Sequence, residues 1–594
     1  MTDTKFNRTS QSIWMRCFLL TIFCMFFLVP VSVVAQQKPN IIFIIADDLG
    51  YGDLSCHGSP IMQTPGIDRL YAQSVRLTNY HTGTTCSPTR AALMTGRHYN
   101  NIGVWHTIIN RSHLRPGIKT LPEILSNNGY HTALFGKWHL GDNKPMRPQD
   151  RGFQYTLMHG GGGVGQTPDH WGNDYFDDVY IRNGVPEKFK GYCTDIWFNE
   201  ATEYIERQRK TGQPFFCYLA LNAPHQPHRA PQKNTERYLN DPSVVDPVFC
   251  GMIANIDDNM NRLLARLDEL KLTENTILIF TSDNGTSNKA GVMVDENGFV
   301  KKGFNAGMRG VKAQPYEGGH RVPFFMRFPQ MQLTGGKDVM QLASCMDVLP
   351  TLLDLCGISS KNSAVEGESL VPYLRSGKSD PAKIYIADTQ RDRFLTQYKD
   401  YCVMRGTWRL VGKELYDLSV DPEQKRDIAS RFPDTVVALQ KAYDIWWKGV
   451  ARQHKRYPFV RIPIQPSETT TLTCMDLFPD DDKYPAWNQD MVSKEQNSTS
   501  GRWMLRVPVA GTYEVAVQQF PREAVDGTHP RFSRPGVVFV QVNEKKLVVD
   551  LPDHKQSRFQ LKLPKGDVDL RAGFTDADGR SVAAQYLYVK RMGK

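Results

Sequence analysis

The sequence lacks closely spaced cysteines. Its eleven are scattered over 594 residues, which argues against a zinc-ligand pattern and against the framework of a disulfide-stapled domain. An oxidising compartment would still permit bridges whose pairing the spacing does not define. No long basic tract occurs either: 72 Lys and Arg are dispersed among 62 Asp and Glu, for a net charge of +10. Nucleic-acid binding is therefore not indicated, whereas the surplus suits an anionic substrate. No internal repeat stands out, and the length exceeds what one compact core can serve, so two to four domains are expected. Just one apolar run approaches the length of a membrane span, Cys17 to Val34. It follows Lys5, Arg8 and Arg16 and ends in Val33-Val34-Ala35, the layout of a secretory signal peptide over residues 1–35. Its small-residue ending weighs against an uncleaved anchor, so the mature chain is expected to be secreted or periplasmic with no stable membrane span. Removing Lys5, Arg8, Arg16 and Asp3 lowers the net charge by two.

What is present reads as alternating strands and helices. Ile41-Ile42-Phe43-Ile44-Ile45 is a buried parallel strand, and Asp47-Asp48 stands at its carboxyl end. A helix is expected over 66–76, another over Leu121–Asn128 stopped by Gly129, and a strand over His131–Phe135 closed by Gly136-Lys137-Trp138-His139. The glycine-rich run at 160–165 opens an irregular stretch to about Val185. It has no clear strand–loop–helix setting for a phosphate cradle, so it reads as a flexible active-site loop. Phe215–Leu221 is a strand ending in Asn222-Ala223-Pro224-His225. Apolar positions at helical spacing mark 248–270, and Thr276–Thr281 is a strand ending in Ser282-Asp283-Asn284-Gly285. This alternation predicts an α/β sheet with ligands gathered at the strands' carboxyl ends.

The texture changes beyond about residue 385. Tyr401–Val411 alternates like an antiparallel strand, Glu414–Leu418 continues it, and a helix follows at about 433–452. From about Pro466 short β-rich runs recur at sandwich-like intervals, including Tyr513–Val517, Val537–Val542 and Lys546–Leu551. The expected division is a catalytic α/β domain over 36–384, a small α+β subdomain over 385–465, and a β-sandwich module over 466–594. The module has no recognisable catalytic cluster and is expected to serve substrate capture or packing.

Asp47, Asp48, Asp283 and Asn284 form an all-oxygen set at the ends of two strands expected to share one sheet edge. Such a set suits a hard cation such as Ca²⁺ or Mg²⁺, not zinc. Thr85-Cys86-Ser87-Pro88-Thr89-Arg90 leads into Ala91-Ala92-Leu93-Met94-Thr95-Gly96-Arg97. Pro88 presets φ for a turn or first helical residue, so Cys86 should lie at or just before a helix N-terminus. That position lowers a thiol's pKa, and Arg90, about one turn on, can reach back towards it.

The spacing Cys86-x-Pro88-x-Arg90 with Thr95-Gly96-Arg97 resembles the signature of the type I sulfatases of the alkaline phosphatase superfamily, in which the cysteine becomes formylglycine. Further matches run in order from residue 39 to about 428. They include Glu317-Gly318-Gly319-His320-Arg321-Val322-Pro323 after Lys312, and Leu415-Tyr416-Asp417-Leu418 before Asp421-Pro422-Glu423. The resemblance implies an alkaline-phosphatase-like mixed, largely parallel sheet flanked by helices. It implies one calcium ion on Asp47, Asp48, Asp283, Asn284 and the modified Cys86, and a maturation enzyme that generates formylglycine. A thiolate is a poor calcium ligand, whereas a hydrated aldehyde offers oxygen. By the same resemblance one hydroxyl of the hydrate attacks sulfur to give a covalent sulfo-enzyme, and the other collapses to aldehyde with His139 as base. Arg90 steadies the hydrate, Lys137 and Lys312 neutralise sulfate oxygens, and His225 protonates the leaving oxygen.

His228 competes for the acid role, but His225 directly follows the strand-ending Asn-Ala-Pro. His320 faces substrate or packs, and His98 is expected to be structural. Secretion, the extra module and the basic charge point to a sulfated carbohydrate as substrate. Two other readings are a phosphonate monoester or phosphodiester hydrolase on the same fold and a non-catalytic sugar-binding relative; against the latter, no expected catalytic position is missing.

Overall fold

Ile41 to Ile45 has no polar face because both of its faces are covered. The computed structural model describes residues 37–593 apart from 362, 498, 525–535, 551–556, 577 and 578; the segment read as a signal peptide lies outside the described residues. The strand Asn40–Ala46 is wholly buried. Ile41, Phe43 and Ile45 enter one apolar core with the helices Cys86–Thr95, Leu121–Asn127 and Val348–Leu355. Ile42, Ile44 and Ala46 enter the other, with Pro65–Gln73, Cys193–Thr211 and Pro247–Glu269. Side chains alternate across a strand, so apolar residues at successive positions require a helix layer on each side.

This strand is central in a ten-stranded sheet. Thr276–Ser282 and Phe215–Ala220 flank it in parallel, His131–Gly136 pairs parallel with Phe215–Ala220, and Tyr155–Met158 parallel with His131–Gly136. Phe324–Arg327 runs antiparallel beside Thr276–Ser282, and the hairpin Val179–Arg182 with Val185–Lys188 adds an antiparallel edge. The fold is α/β with a largely parallel sheet. The register aligns Ile45 with Ala220, Ala46 with Ser282, and Gly136 with Ala220. Five parallel strands therefore end together, and the loops that leave them meet above one edge.

A four-stranded antiparallel sheet runs from Ile384–Asp388 to Glu414–Asp417. The helix Pro433–Arg456 packs on it through Leu439 and Tyr443. Beyond it, two further sheets share one apolar core to which Trp503, Leu505, Tyr513, Val515, Val538, Leu561 and Val589 contribute.

Local differences from the sequence reading have physical causes. The first helix is Pro65–Gln73, and Val75–Leu77 leaves it to join the sheet, where Val75 pairs with Met326 and Arg76 with Phe325. Tyr401–Val411 is two strands, because Gly406 at φ 56° lets the chain reverse between Arg405 and Trp408. The irregular stretch to Val185 contains the hairpin strand Val179–Arg182. The described cysteines are all free, and among the described residues no helix is long and apolar enough to cross a membrane.

Candidate active site

Each functional loop leaves the carboxyl end of a parallel strand: Asp47-Asp48 after Asn40–Ala46, Asp283-Asn284 after Thr276–Ser282, Lys137 to His139 after His131–Gly136, and His225 after Phe215–Ala220. Cys86 is the first residue of the helix Cys86–Thr95, with Thr85 extended before it. Its thiol is 1% exposed. Sγ lies 3.4 Å from Asp47 Oδ1, 3.9 Å from Asp48 Oδ1 and 3.6 Å from Lys312 Nζ.

The thiol corrects one expectation. Burial, and then Asp283, push its pKa from 9.0 up to about 12, against the pull of Lys137 and Lys312. That displacement is worth roughly 4 kcal/mol, whereas a helix N-terminus supplies about 0.3–1 kcal/mol. Burial wins, and Cys86 is held as a neutral thiol. Arg90 does not reach back to it either. Its Nε and Nη2 grip Asp283 Oδ2 at 3.0 and 2.8 Å, and Nη1 donates to Lys137 O.

Three buried carboxylates face three cations. Lys137 Nζ donates to Asp47 Oδ2 at 2.7 Å, Lys312 Nζ lies 2.6–2.7 Å from both oxygens of Asp48, and Arg90 holds Asp283. Burial alone would raise the Asp48 carboxyl, but Lys312 and His225 outweigh it and keep it well below the usual range. Burial and Asp47 lift Asp283 to about 6. With the pairs balanced, an added divalent cation would leave two positive charges for an anion to neutralise.

The donor set fits a hard cation. Asn284 Nδ2 donates to Asp48 Oδ1 at 2.8 Å, while Asn284 Oδ1 is buried with no hydrogen-bond partner. A buried amide oxygen without a donor costs about 1–3 kcal/mol, a cost that a cation beside it removes. Asp47, Asp48, Cys86 and His225 each present one ligand atom within 4.8 Å of the others. Asp48 adopts φ 68° and His139 φ 60°, left-handed conformations that non-glycine residues hold where a site requires them.

The two histidines differ in their free nitrogens. His139 Nε2 lies 2.8 Å from Thr107 O; a carbonyl only accepts, so Nε2 carries the proton. Nδ1 is then a lone pair, buried and without a partner. Burial and Lys137 drive this imidazole well below its ordinary pKa, keeping it neutral. His225 Nδ1 donates to Gln226 O at 2.6 Å, so Nε2, 4.0 Å from Asp48 Oδ2, is the exchangeable position. Burial and Lys312 lower its pKa to about 3; an anionic ligand beside it favours the protonated form.

The structure thus gathers Asp47, Asp48, Cys86, Arg90, Lys137, His139, His225, Asp283, Asn284 and Lys312. His228 is held instead by Asp246, 2.5 Å from Nδ1. His320 packs: its Nδ1 lies 2.9 Å from His81 Nδ1, beside the buried Glu317–Arg409 ion pair. His98 bonds Ile386 O and caps a short helix. Sequence reasoning missed Ser287, whose hydroxyl donates to Asp48 Oδ2 at 2.7 Å, and Thr107. Ser287 lies three residues past Asn284 in the same loop, which is a usable signal; Thr107 acts through its carbonyl, which leaves none. The run at 160–165 is mostly buried, and Gly162 lies against the His139 ring.

Comparison with known proteins gives concordant findings. A family model described as Sulfatase matches residues 39–358. The chain is 31% identical over 398 residues to the N-acetylgalactosamine-6-sulfatase of Sus scrofa, covering 61% of this chain and 72% of that one. The crystal structure of Ps i-CgsB in complex with k-i-k-neocarrahexaose superposes with TM-score 0.62 at 26% identity, covering 69% of this chain and 93% of that chain. The phosphonate monoester hydrolase of Agrobacterium radiobacter shares the fold at TM-score 0.51 and 20% identity, covering 70% of this chain and 96% of that one.

Proposed function

Because this chain belongs to the sulfatase family, whose model spans more than half of it, and is a sulfatase, we propose that it removes sulfate from a sulfated carbohydrate with a formylglycine made from Cys86 and one calcium ion. The observation that carries this reading is the buried cluster of Asp47, Asp48 and the Cys86 thiol, whose ligand atoms lie within 4.8 Å of one another, with Asp283 Oδ1 on the Asp48 backbone and the partnerless Asn284 Oδ1 on the residue whose amide nitrogen holds Asp48. A protonated thiol is neither a nucleophile nor a ligand for a hard cation, so the site makes chemical sense with oxygen at position 86. The formylglycine hydrate, once formed, supplies that oxygen as the nucleophile. Asp47, Asp48, Asp283, Asn284 and the modified Cys86 would hold the calcium ion, which when bound supplies fixed positive charge beside the sulfate oxygens.

Lys137 and Lys312, anchored on Asp47 and Asp48, present their remaining ammonium protons to sulfate. Arg90, locked onto Asp283, fixes the first helical turn and with it the orientation of residue 86. His139 Nδ1 is the base, its lone pair kept available by the Thr107 carbonyl on the opposite nitrogen. His225 Nε2 delivers the proton to the leaving alkoxide. A sulfated sugar is supported by what related proteins are named for or bound to: N-acetylgalactosamine-6-sulfatase and a neocarrahexaose complex. The division into 36–384, 385–465 and 466–594, maturation by a formylglycine-generating enzyme, and secretion or periplasmic residence belong to the same proposal.

Metal removal tests it. Exhaustive chelation should abolish activity, Ca²⁺ should restore it, and Zn²⁺ should substitute poorly. Calcium should also raise Tm, since a ligand at a hundredfold excess over its Kd stabilises by about 2.7 kcal/mol. Metal-free protein with full activity and a Tm unresponsive to calcium would overturn the metal assignment. Matched aryl sulfate and aryl phosphate esters separate this reading from a phosphonate or phosphodiester hydrolase, and a defined panel of sulfated saccharides would identify the substrate.

A further inference from the structure

The glycine-rich strap at 159–173 lies against both histidines of the site. A Cβ on Gly162 would stand 2.2 Å from the His139 ring, and one on Gly163 would stand 3.4 Å from His225 Nδ1. Inside the strap, Gly162 N donates to Gln166 Oε1 at 2.9 Å, and Gly160 N and Gly165 N donate to the buried Asp169.

Its outer side is held by residues more than 300 positions downstream. Gln489, buried, receives Gly172 N on Oε1 at 2.9 Å, and its Nε2 donates to His170 O at 3.1 Å. Its backbone N donates to Gly165 O at 2.9 Å. Thr167 N donates to Trp487 O, Thr167 Oγ1 to Ala486 O, and Tyr586 OH to Thr167 O at 2.9 Å. Trp171 packs edge-on against Phe520.

The loop on the other side of His139 ends in the same place. Thr107 O holds His139 Nε2; its neighbours Ile108 and Ile109 pack with Cys474, Met475 and Trp487. Asn110 N donates to Met475 O at 2.9 Å, and His113 Nε2 lies 2.9 Å from Asp476 Oδ1. One stretch of the carboxyl-terminal module, 474–492, therefore anchors both loops that fix the His139 ring.

We propose that this stretch, with Gln489 as its main anchor and Tyr586 beside it, is a positioning element for His139 and His225, so that the module completes the active site as well as adding surface. The inference rests on the sulfatase reading of those two histidines. It is a claim about geometry: a misplacement of about 1 Å in a reacting group can cost roughly 10²-fold in rate, and neither loop reaches its position through the parallel sheet alone.

Steady-state kinetics on a small aryl sulfate test it, because such a substrate gains nothing from a remote polymer-binding surface. Gln489→Met keeps the side chain's length and removes both hydrogen-bonding ends. It should lower kcat about ten- to hundredfold while KM moves less than about threefold. Tyr586→Phe deletes one hydroxyl, leaves the packing intact and should lower kcat about threefold, so the test survives if Gln489→Met does not fold. Val538→Ala, in the module's own core, should lower Tm and leave kcat unchanged. Wild-type kcat in folded Gln489→Met, or in Tyr586→Phe where Gln489→Met does not fold, would overturn the proposal. An equal loss of kcat in Val538→Ala would also overturn it, by making the loss a matter of stability. A wild-type enzyme inactive on sulfate esters would count against the proposed function instead.

Discussion

Cys86→Ala should reduce sulfate-ester turnover by roughly 10⁴-fold or more, leaving what charge stabilisation alone provides, with Tm close to that of the wild type. The two halves of this result come from one geometry. The thiol is buried, but its neighbours within 4 Å include Asp47, Asp48 and Lys312 rather than a purely apolar shell. Replacing this small side chain, thiol or aldehyde, by a methyl group therefore forfeits little apolar burial, about 1 kcal/mol or less on the scale of ordinary substitutions. Kinetics and a thermal melt on the same preparation check both halves. A variant retaining a tenth of wild-type turnover would remove residue 86 from the chemistry. A variant that does not fold would show that the position is structural.

The second large effect depends on the leaving group. A sugar alkoxide is a strong base and needs a proton as the S–O bond breaks; a nitrophenolate departs without one. General acid catalysis contributes about 10²–10⁴ in rate, or roughly 3–5 kcal/mol of barrier. His225→Ala should therefore slow a sugar sulfate by a factor in that range and an aryl sulfate far less. His139→Ala, Lys137→Ala and Lys312→Ala should impair both substrates, since neither regenerating the aldehyde nor stabilising sulfate depends on which alcohol has left. His228→Ala is the control, because its ring is turned to Asp246 and not to Asp48. A leaving-group-dependent defect in His228→Ala and none in His225→Ala would reverse the assignment.

The parts of this site that lie at strand ends were legible in the sequence. Asp47-Asp48 and Asp283-Asn284 each close a run of apolar, mostly β-branched residues, and a parallel sheet places such ends together. Seven of the ten residues singled out converge for that reason, while Cys86 and Arg90 arrive on a helix and Lys312 on a later loop. The turn ahead of Cys86 marks a helix start, but spacing reveals a helix N-terminus and not how deeply it is buried, and burial dominates the thiol's ionisation. Helix and strand could not be separated at Val75–Leu77, where three residues satisfy either pattern until a partner strand is known. The contribution of the module was hidden most completely. Its strands are visible by alternation, yet Gln489 meets the 160–173 strap through backbone groups on one side, and no residue pattern encodes such a contact.

The central claim is the oxidation of Cys86, and the most direct measurement is the mass of the peptide that contains it. Cleavage after Arg76 and Arg90 releases Leu77–Arg90, which holds residue 86 and no other cysteine. In fully active enzyme the account predicts the mass of the aldehyde form, with the thiol form confined to inactive material. Fully active protein whose Leu77–Arg90 peptide carries an unmodified thiol would contradict it.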